Sequence, residues 1–284
     1  MSDHPSPTND TARNFQVRIL RQDAPGKPSY WETFQVEYES DMNVISVLQK
    51  IAIKGETVDG KKVAPVAWDC GCLEEVCGAC TMLVNGRVRQ SCSALVDRLL
   101  EDKPGVIELQ PMSKFPVVRD LVVDRARMFR ALQRVKSWVP VDGYYDMGAG
   151  PQQTREDQEA HYPLSQCMSC GCCLEACPQY TKIEIPRKPG ESEPQHRERC
   201  DESYDTHFLG AHAISQAVLF NSHPIGRNIG SERLDALMAP GGLQVCGNAQ
   251  NCVAVCPKEI PLTTSIARAG RSTTLHAIKS IFDR

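Results

Sequence analysis

Near the N-terminus, apolar and polar side chains alternate along two segments, residues 15–20 and 33–38. A period of two is typical of β-strands that bury one face. Asn85 and Gly86 stand between two short apolar runs, which favours a tight hairpin turn because both residue types tolerate positive φ. Residues 105–110 supply a closing strand. The pattern therefore predicts a small sheet in the first part of the chain.

A helical period runs through residues 42–53, whose apolar positions Val44, Val47 and Ile51 share one face. Asp41 is positioned to cap the first turn of this helix. Strands and a helix in this order predict a mixed α/β unit.

Farther along the chain the period is mainly helical. Apolar positions recur at helical spacing over 119–139, and Pro140 ends the run. Residues 141–161 predict a linker loop, and the polar, proline-containing segment 180–205 predicts an irregular surface loop. Further helices are predicted over 211–220, 231–238 and 262–282.

Composition and charge exclude several classes of protein. The net charge is −3 with both signs interspersed, so a nucleic-acid partner has no electrostatic basis. No stretch of about 18 apolar residues predicts a membrane span. The N-terminus has neither a basic start nor an apolar core, so we expect no signal peptide and a reducing compartment. There, closely spaced cysteines bind metals more often than they form disulfides.

Twelve of the fourteen cysteines fall in three tight groups. The first group contains Cys72-x4-Cys77-x2-Cys80, with Cys92 downstream, which is the plant-type ferredoxin spacing. Cys70 competes with Cys72 as the first ligand, but only Cys72 gives the four-residue gap. We therefore predict a 2Fe–2S cluster on Cys72, Cys77, Cys80 and Cys92, with Cys70 as a buried thiol.

The second and third groups repeat one frame, C-x2-C-x2-C-x3-C-P, about eighty residues apart. The third group has Ala249 where the frame requires its second cysteine. In proteins with two such frames, the last cysteine of each frame binds the other cluster. Cys177 is therefore predicted to bind the cluster of the third group, and Cys256 that of the second group.

This exchange gives one set of four thiolates and one set of three. The complete set predicts a 4Fe–4S cluster and consists of Cys167, Cys170, Cys173 and Cys256. The other set predicts a 3Fe–4S cluster, because the methyl group of Ala249 cannot bind iron. It consists of Cys177, Cys246 and Cys252.

The remaining candidate residues have simpler interpretations. Cys172 lies outside the frame and is predicted to be a packing thiol, and Cys200 to be a surface cysteine. His207 and His212 form no metal motif and are interpreted as core or surface residues. The arginines of residues 119–134 alternate with aspartates, which predicts a solvated helix face or a docking site for an acidic partner.

These observations predict an α+β protein. Its N-terminal half is expected to be a β-grasp, plant-type ferredoxin domain, and its C-terminal half a helical, bacterial-type ferredoxin domain. The predicted boundaries are a disordered tail at 1–13, the 2Fe–2S domain at 14–115, a connecting helix and linker at 116–160, and the two-cluster domain at 161–284.

Three motifs carry a close resemblance to the iron–sulfur subunit of succinate dehydrogenase and fumarate reductase. They are Leu73-Glu-Glu-Val-Cys77-Gly-Ala-Cys80, Arg119-Asp-Leu-Val-Val-Asp124 and Cys252-Val-Ala-Val-Cys256-Pro-Lys. The resemblance spans residues 15–282. It implies an oxidoreductase subunit that relays electrons from a flavoprotein with covalent FAD, through the 2Fe–2S, 4Fe–4S and 3Fe–4S clusters, to quinone in a membrane anchor. The same relay serves succinate oxidation and fumarate reduction, and the chain has no organic-substrate site of its own.

The resemblance also indicates the type of membrane anchor that the chain would contact. Ubiquinone-reducing members carry tryptophan shortly after the Cys177–Pro178 step and histidine after the Cys246 position, where this chain has Thr181 and Gly247. The chain is similar to the branch with a dihaem cytochrome b anchor, which implies haem b and a quinone on partner subunits. It also implies a peripheral location on the cytoplasmic face of a bacterial membrane. Pro178 and Gly247 are then expected at the edge of a quinone pocket.

Two other functions use the same cysteines. An iron–sulfur subunit of a soluble fumarate reductase, or of a related flavoprotein, would need no anchor. A structural zinc-binding interaction protein would need no redox chemistry. However, zinc sites usually pair two C-x2–4-C units, whereas Cys92 stands alone. Co-purified haem distinguishes the first alternative, and metal content distinguishes the second.

Overall fold

The computed structural model describes residues 14–140 and 152–282. Its N-terminal part is a five-stranded sheet with strand order β2-β1-β5-β3-β4. Strands β1 and β5 are parallel, and the other neighbours are antiparallel. The strands are β1 (Asn14–Arg21), β2 (Tyr30–Glu37), β3 (Thr81–Val84), β4 (Arg87–Gln90) and β5 (Val106–Gln110). The helices of this part are α1 (Val44–Lys54) and α2 (Val96–Asp102).

Helix α1 forms where the apolar period predicts it, but its cap is a different residue. Asn43 Oδ1 accepts a hydrogen bond from the N–H of Ser46 at 3.0 Å, whereas Asp41 lies outside the helix with φ of 63°. The predicted Asp41 cap is therefore wrong. The reason is that a capping side chain must bond the N–H of the second or third helical residue, which only Asn43 reaches.

The prediction of one helix from residue 119 is wrong at its start. The chain instead forms a short hairpin before the helix, because Asp120 is fully buried with φ of 47°. Its carboxylate accepts hydrogen bonds from Arg21 and from the N–H of Ala67, which holds the turn. The elements are β6 (Val117–Arg119), β7 (Val122–Val123) and α3 (Ala126–Arg134).

The rest of the described chain is mostly helical, and a helix lies in each of the predicted segments 211–220, 231–238 and 262–282. The tail 1–13 and most of the predicted linker, 141–151, lie outside the described residues. The end of that linker is helical rather than a loop, since Thr154 caps a helix by accepting from the N–H of Asp157. The helices are α4 (Arg155–Ser165), α5 (Cys172–Glu175), α6 (Glu193–Thr206), α7 (Ala211–Ser222), α8 (Gly230–Met238), α9 (Asn251–Ala254) and α10 (Leu262–Phe282), with 3-10 turns at Gly226–Ile229 and Leu243–Val245.

The polar segment 180–205 is not an irregular loop throughout, because its second half forms α6. A capping box between Ser192 and Gln195 starts this helix. Arg130 of α3 bonds the carboxylate of Asp205 at 2.8 and 2.6 Å. Cys200, predicted at the surface, is buried, because α6 packs against α3.

Two apolar cores hold the molecule together. One lies between the sheet and the helices α1 and α2. The other fills the helical half and also contains Met112, Phe115 and Met128, so the chain following the sheet packs into the helical half. The predicted α+β class is confirmed, with a mixed sheet first and a helical region after it.

Candidate metal centres

The first cysteine group lies in the loop that leads from α1 to β3. The main-chain N–H groups of Glu74, Val76 and Cys77 point at Cys72 Sγ, with N···S distances of 3.4, 3.3 and 3.3 Å. The N–H groups of Cys72 and Ala79 donate to Cys77 Sγ at 3.4 and 3.5 Å. The N–H donors to Cys72 favour its thiolate and lower the pKa of Cys72 to about 7. The loop is therefore shaped to hold anionic sulfur.

The other two thiols of the first predicted set lie at the base of this loop. Cys80 directly precedes β3 and Cys92 follows β4, and both are buried beside Ile45. Burial raises the pKa of Cys92 to about 11, and the neighbouring Cys80 and Cys72 act in the same direction. The loop thus brings the four predicted thiols together, two at its rim and two at its base.

Cys70 does not occupy the predicted environment. It is exposed rather than buried, because the loop turns its inner side towards Cys72 and Cys77. At Gly71, the next residue, an added Cβ would lie 3.1 Å from Cys77 Sγ. Glycine therefore lets the main chain pass close to the ligand sulfur.

A cavity beside α5 is lined by the thiols of the second predicted set. It holds about 390 Å³ of space free of protein atoms, its open mouth included. Burial raises the pKa of Cys173 well above its ordinary value, and the neighbouring thiols add to this effect. The cysteines of the wall are Cys167, Cys170, Cys172, Cys173 and Cys256.

A separate cavity of the same volume is lined by the third predicted set, Cys177, Cys246 and Cys252. Ala249 lies in its wall, so the frame position that lacks a thiol faces the same space. Pro178 and Gly247 line this cavity too.

The last cysteine of each Cys-Pro frame lines the cavity formed by the other frame. Cys177 follows Cys173 by four residues, yet it lines the cavity of Cys246 and Cys252. Cys256 in turn lines the cavity of Cys167, Cys170 and Cys173. The short helices α5 and α9, one from each frame, pack against each other.

The donors fit polynuclear clusters. Across the described ranges 14–140 and 152–282, no three histidine, cysteine or carboxylate side chains meet closely enough for a single metal ion. The thiols instead line the walls of shared cavities, or ring a loop whose N–H groups face the sulfurs. Soft thiolate donors suit iron–sulfur clusters.

His212 is buried at the start of α7 and also lines the second cavity. Its Nε2 bonds the carbonyl of Met128 at 3.2 Å, and its Nδ1 has no partner. Burial lowers the pKa of His212 to about 4, so the ring is neutral near pH 7. It is a core residue, as one of the two sequence interpretations holds.

No motif in the sequence indicates the contacts that Arg125 makes. The prediction of a solvated face was wrong for Arg125 and for Arg127, because the partners of both are main-chain carbonyls far away in sequence. Arg125 bonds the carbonyls of Gly78 and Ala79. Arg127 is 6% exposed and lies over the ring of Tyr180 at 3.9 Å.

A mixed sheet followed by a helical half, with three groups of convergent thiols, defines an iron–sulfur protein. Residues 16–130 match the model of the 2Fe-2S iron-sulfur cluster binding domain. The chain is 48% identical to the succinate dehydrogenase iron-sulfur subunit of Bacillus subtilis (strain 168), over 95% of this chain and 96% of the relative. The chain belongs to the family of succinate dehydrogenase iron–sulfur subunits.

A more distant relative and a solved structure also match this chain. The fumarate reductase iron-sulfur subunit of Wolinella succinogenes is 29% identical over 90% of this chain and 95% of its own. A chain of the Mycobacterium smegmatis Sdh1 complex in the apo form has the same fold, with a TM-score of 0.69 at 19% identity, and covers 93% of this chain and 96% of its own. None of the helices in the described ranges has the length and apolar character needed to span a membrane.

Proposed function

We propose that this chain is the electron-transfer subunit of a succinate:quinone oxidoreductase. The observation that carries the proposal is the exchange of Cys177 and Cys256 between two cavities. The exchange yields one set of four thiols and one set of three, with Ala249 at the vacant ligand position.

The three sets are proposed to bind three different clusters. The 2Fe–2S ligands are Cys72, Cys77, Cys80 and Cys92. The 4Fe–4S ligands are Cys167, Cys170, Cys173 and Cys256. The 3Fe–4S ligands are Cys177, Cys246 and Cys252.

When bound, the clusters would supply one-electron redox chemistry within a range of about −700 to +450 mV. The chain itself sets the environment of each cluster. Main-chain N–H groups face the sulfurs of Cys72 and Cys77, and burial surrounds Cys173 with low dielectric. Gly78 of the first loop packs against Cys170, and Cys173 lies near Cys252. These contacts support a linear order with the 4Fe–4S site in the middle.

The proposed partners lie at the two ends of this order. Leu73 and Val76 are about half exposed beside Cys72 and offer apolar contact to a flavoprotein subunit with covalent FAD. At the other end, Pro178 and Gly247 line the third cavity and are proposed to border a quinone. The quinone would sit in a cytochrome b anchor with haem b, of the dihaem type, at the cytoplasmic face of a bacterial membrane.

Metal analysis and paramagnetic resonance of the complex, purified from its native host, test the proposal. We expect about nine irons per chain, from two, four and three per cluster, with negligible zinc. An oxidised sample should give a three-iron signal, and stepwise reduction should reveal the other two centres. An iron-free, zinc-containing preparation would overturn the proposal.

The anchor is tested separately by detergent extraction. Co-purification with a haem-containing membrane protein supports the quinone-linked role. A fully iron-loaded chain that is isolated only with a flavoprotein, and without haem, would instead indicate a soluble reductase.

A further inference from the structure

The loops of the first and second thiol sets touch at one point. Gly78, between Cys77 and Cys80, has φ of +69°, and a Cβ added to it would lie 2.7 Å from both Cα and Cβ of Cys170. Real Cβ atoms do not approach other atoms so closely. The two main chains are therefore in direct contact only because residue 78 has no side chain.

Arg125 joins the two loops at this contact. Its guanidinium donates to the carbonyl oxygens of Gly78 and Ala79, both at 2.8 Å, and more weakly to that of Cys170 at 3.5 Å. Arg125 directly precedes α3, which packs in the helical half. The side chain thus ties the 2Fe–2S loop to the half of the molecule that holds the other thiols.

The charge of Arg125 has no carboxylate in direct contact, and Asp69 balances it only from a distance. Within the part of the chain that the structure describes, no aspartate or glutamate forms a salt bridge with Arg125. Burial lowers the pKa of its guanidinium, and Cys170, the carboxylate of Asp69, Cys172 and Cys80 act against that shift, so three of the four opposing groups are thiols. A buried charge is costly unless it is compensated. Clusters with thiolate ligands on either side are negatively charged and would provide the compensation.

We propose that Arg125 is a positioning residue that holds the loops of the first two centres in contact and raises the reduction potential of both centres. The proposal rests on the proposed function, since it requires clusters on Cys80 and Cys170. A fixed positive charge stabilises the more negative, reduced state of each neighbouring centre. The third centre is separated from it by the second and should be insensitive to it.

Arg233 provides a matched control. Like the partly buried Arg125, it is held by main-chain carbonyls, but it is fully buried. It bonds the carbonyls of Lys136, Trp138 and Gly226 at 2.9, 2.6 and 2.6 Å. None of these partners lines a thiol cavity. Arg233→Gln therefore reports the cost of removing a buried guanidinium where no centre is near.

The experiment compares Arg125→Gln, Arg125→Lys and Arg233→Gln in the intact complex by redox titration with paramagnetic resonance. In Arg125→Gln we expect lower potentials for the 2Fe–2S and 4Fe–4S centres, about tenfold in each redox equilibrium, or about 59 mV for one electron. The 3Fe–4S potential should be unchanged. Arg125→Lys keeps the charge and should keep the potentials, and Arg233→Gln should leave all three as in the wild type.

Other results of this experiment contradict either the inference about Arg125 or the proposed function. Unchanged potentials in Arg125→Gln, an equal shift of all three centres, or the same shifts in Arg233→Gln would overturn the inference while the three wild-type signals still support the proposed function. If Arg125→Gln assembles poorly, selective loss of the first two signals supports the role, and joint loss of all three refutes it. A wild-type complex without the three signals would defeat the proposed function itself.

Discussion

Single side chains decide what each thiol set can hold. Ala249 occupies the second ligand position of a frame that otherwise repeats the frame of the second group, and it lies in the wall of the third cavity. The same helix–loop geometry therefore offers three thiolates in one place and four in the other. Ligand number, rather than fold, distinguishes the two proposed centres.

Replacing Ala249 with cysteine tests this argument. Ala249→Cys should convert the three-iron centre towards 4Fe–4S and lower its potential, because the added thiolate increases the negative charge around the iron. Iron content should rise by about one per chain, and the oxidised three-iron resonance should disappear. Ala249→Ser is the control, since it adds a similar volume without a thiol. An unchanged three-iron signal in a fully loaded Ala249→Cys complex would contradict the assignment of the frame.

Gly78 and Gly86 form a second matched pair at the scale of residues. Both have positive φ, but an added Cβ at Gly86 meets nothing within 4 Å, whereas at Gly78 it meets Cys170 at 2.7 Å. Gly86→Ala should therefore cost only the conformational penalty, about 1–2 kcal/mol. Gly78→Ala should cost more and should also reduce the occupancy of the first two centres. Iron content and thermal loss of visible absorption measure both effects. Equal behaviour of the two variants would mean that the loop contact is unimportant.

At the scale of elements, local patterns predicted structure wherever neighbours in sequence provide the stabilising contacts. Helix α10 has the predicted bounds, Leu262–Phe282, and the turn at Asn85 and Gly86 joins β3 to β4. The prediction of a helix from residue 119 was wrong at its start because distant groups, Arg21 and Ala67, hold the turn at Asp120. No period within the segment could have revealed these partners.

The prediction missed helix α6 for a different reason. It is polar except for Cys200 and Tyr204, which are buried, so it shows almost no apolar period, and the prediction relied on that period. Its start signals were present in the sequence: Ser192 and Gln195 form a capping box, and Pro194 lies in the first turn. The thiol sets, by contrast, were predicted from spacing, because ligand geometry around a cluster restricts the spacing more strongly than packing does. The structure places the thiols of the second and third sets in the walls of two cavities, and their assignment as ligands stays a prediction.

The buried ion pair at Asp120 links β1 to the β6–β7 hairpin. Asp120 Oδ1 and Oδ2 each accept from Arg21 at 3.0 Å, and both residues are almost fully buried. Asp120→Asn should destabilise the N-terminal half by about 1–3 kcal/mol, since it leaves buried donors unsatisfied while Glu32 still balances the charge of Arg21. The measurement is the temperature at which the 2Fe–2S absorption is lost.

Asp205→Asn is the control for this prediction. Asp205 also pairs with an arginine, Arg130, but its side chain is 37% exposed, and exposed pairs contribute less than about 1 kcal/mol. The hydrogen bond from Arg130 lowers the pKa of Asp205. The small contribution of this pair to the free energy of unfolding is therefore present at neutral pH and is lost as the pH falls through the lowered pKa. Asp205→Asn should thus have little effect at neutral pH. If the two variants unfold at the same temperature, burial does not determine the strength of these pairs.

At the scale of the whole molecule, the two halves differ in what stabilises them. The sheet, with α1 and α2, has an extensive apolar core of its own. In the helical half, Cys170, Cys172, Cys173 and Cys252 are part of the core itself. The thiol cavities lie between two segments separated by about eighty residues. In the helical half, bound clusters would therefore connect distant parts of the chain. In the sheet half, the 2Fe–2S cluster would occupy only the loop between α1 and β3.

Removal of iron should then unfold the molecule unevenly. Helices α5 and α9 have four residues each, and such short helices are not stable by themselves, so they depend on the clusters that their cysteines would bind. In the intact complex treated with an iron chelator under reducing conditions, we expect amide hydrogen exchange to accelerate first in 167–177 and 246–256. Protection of β1, β2 and β5 should persist, because their core contains no predicted ligand. Reconstitution with iron and sulfide should restore the protection. Uniform loss of protection across both halves would indicate instead that the sheet also depends on bound metal, and that the two cores fold as a single unit.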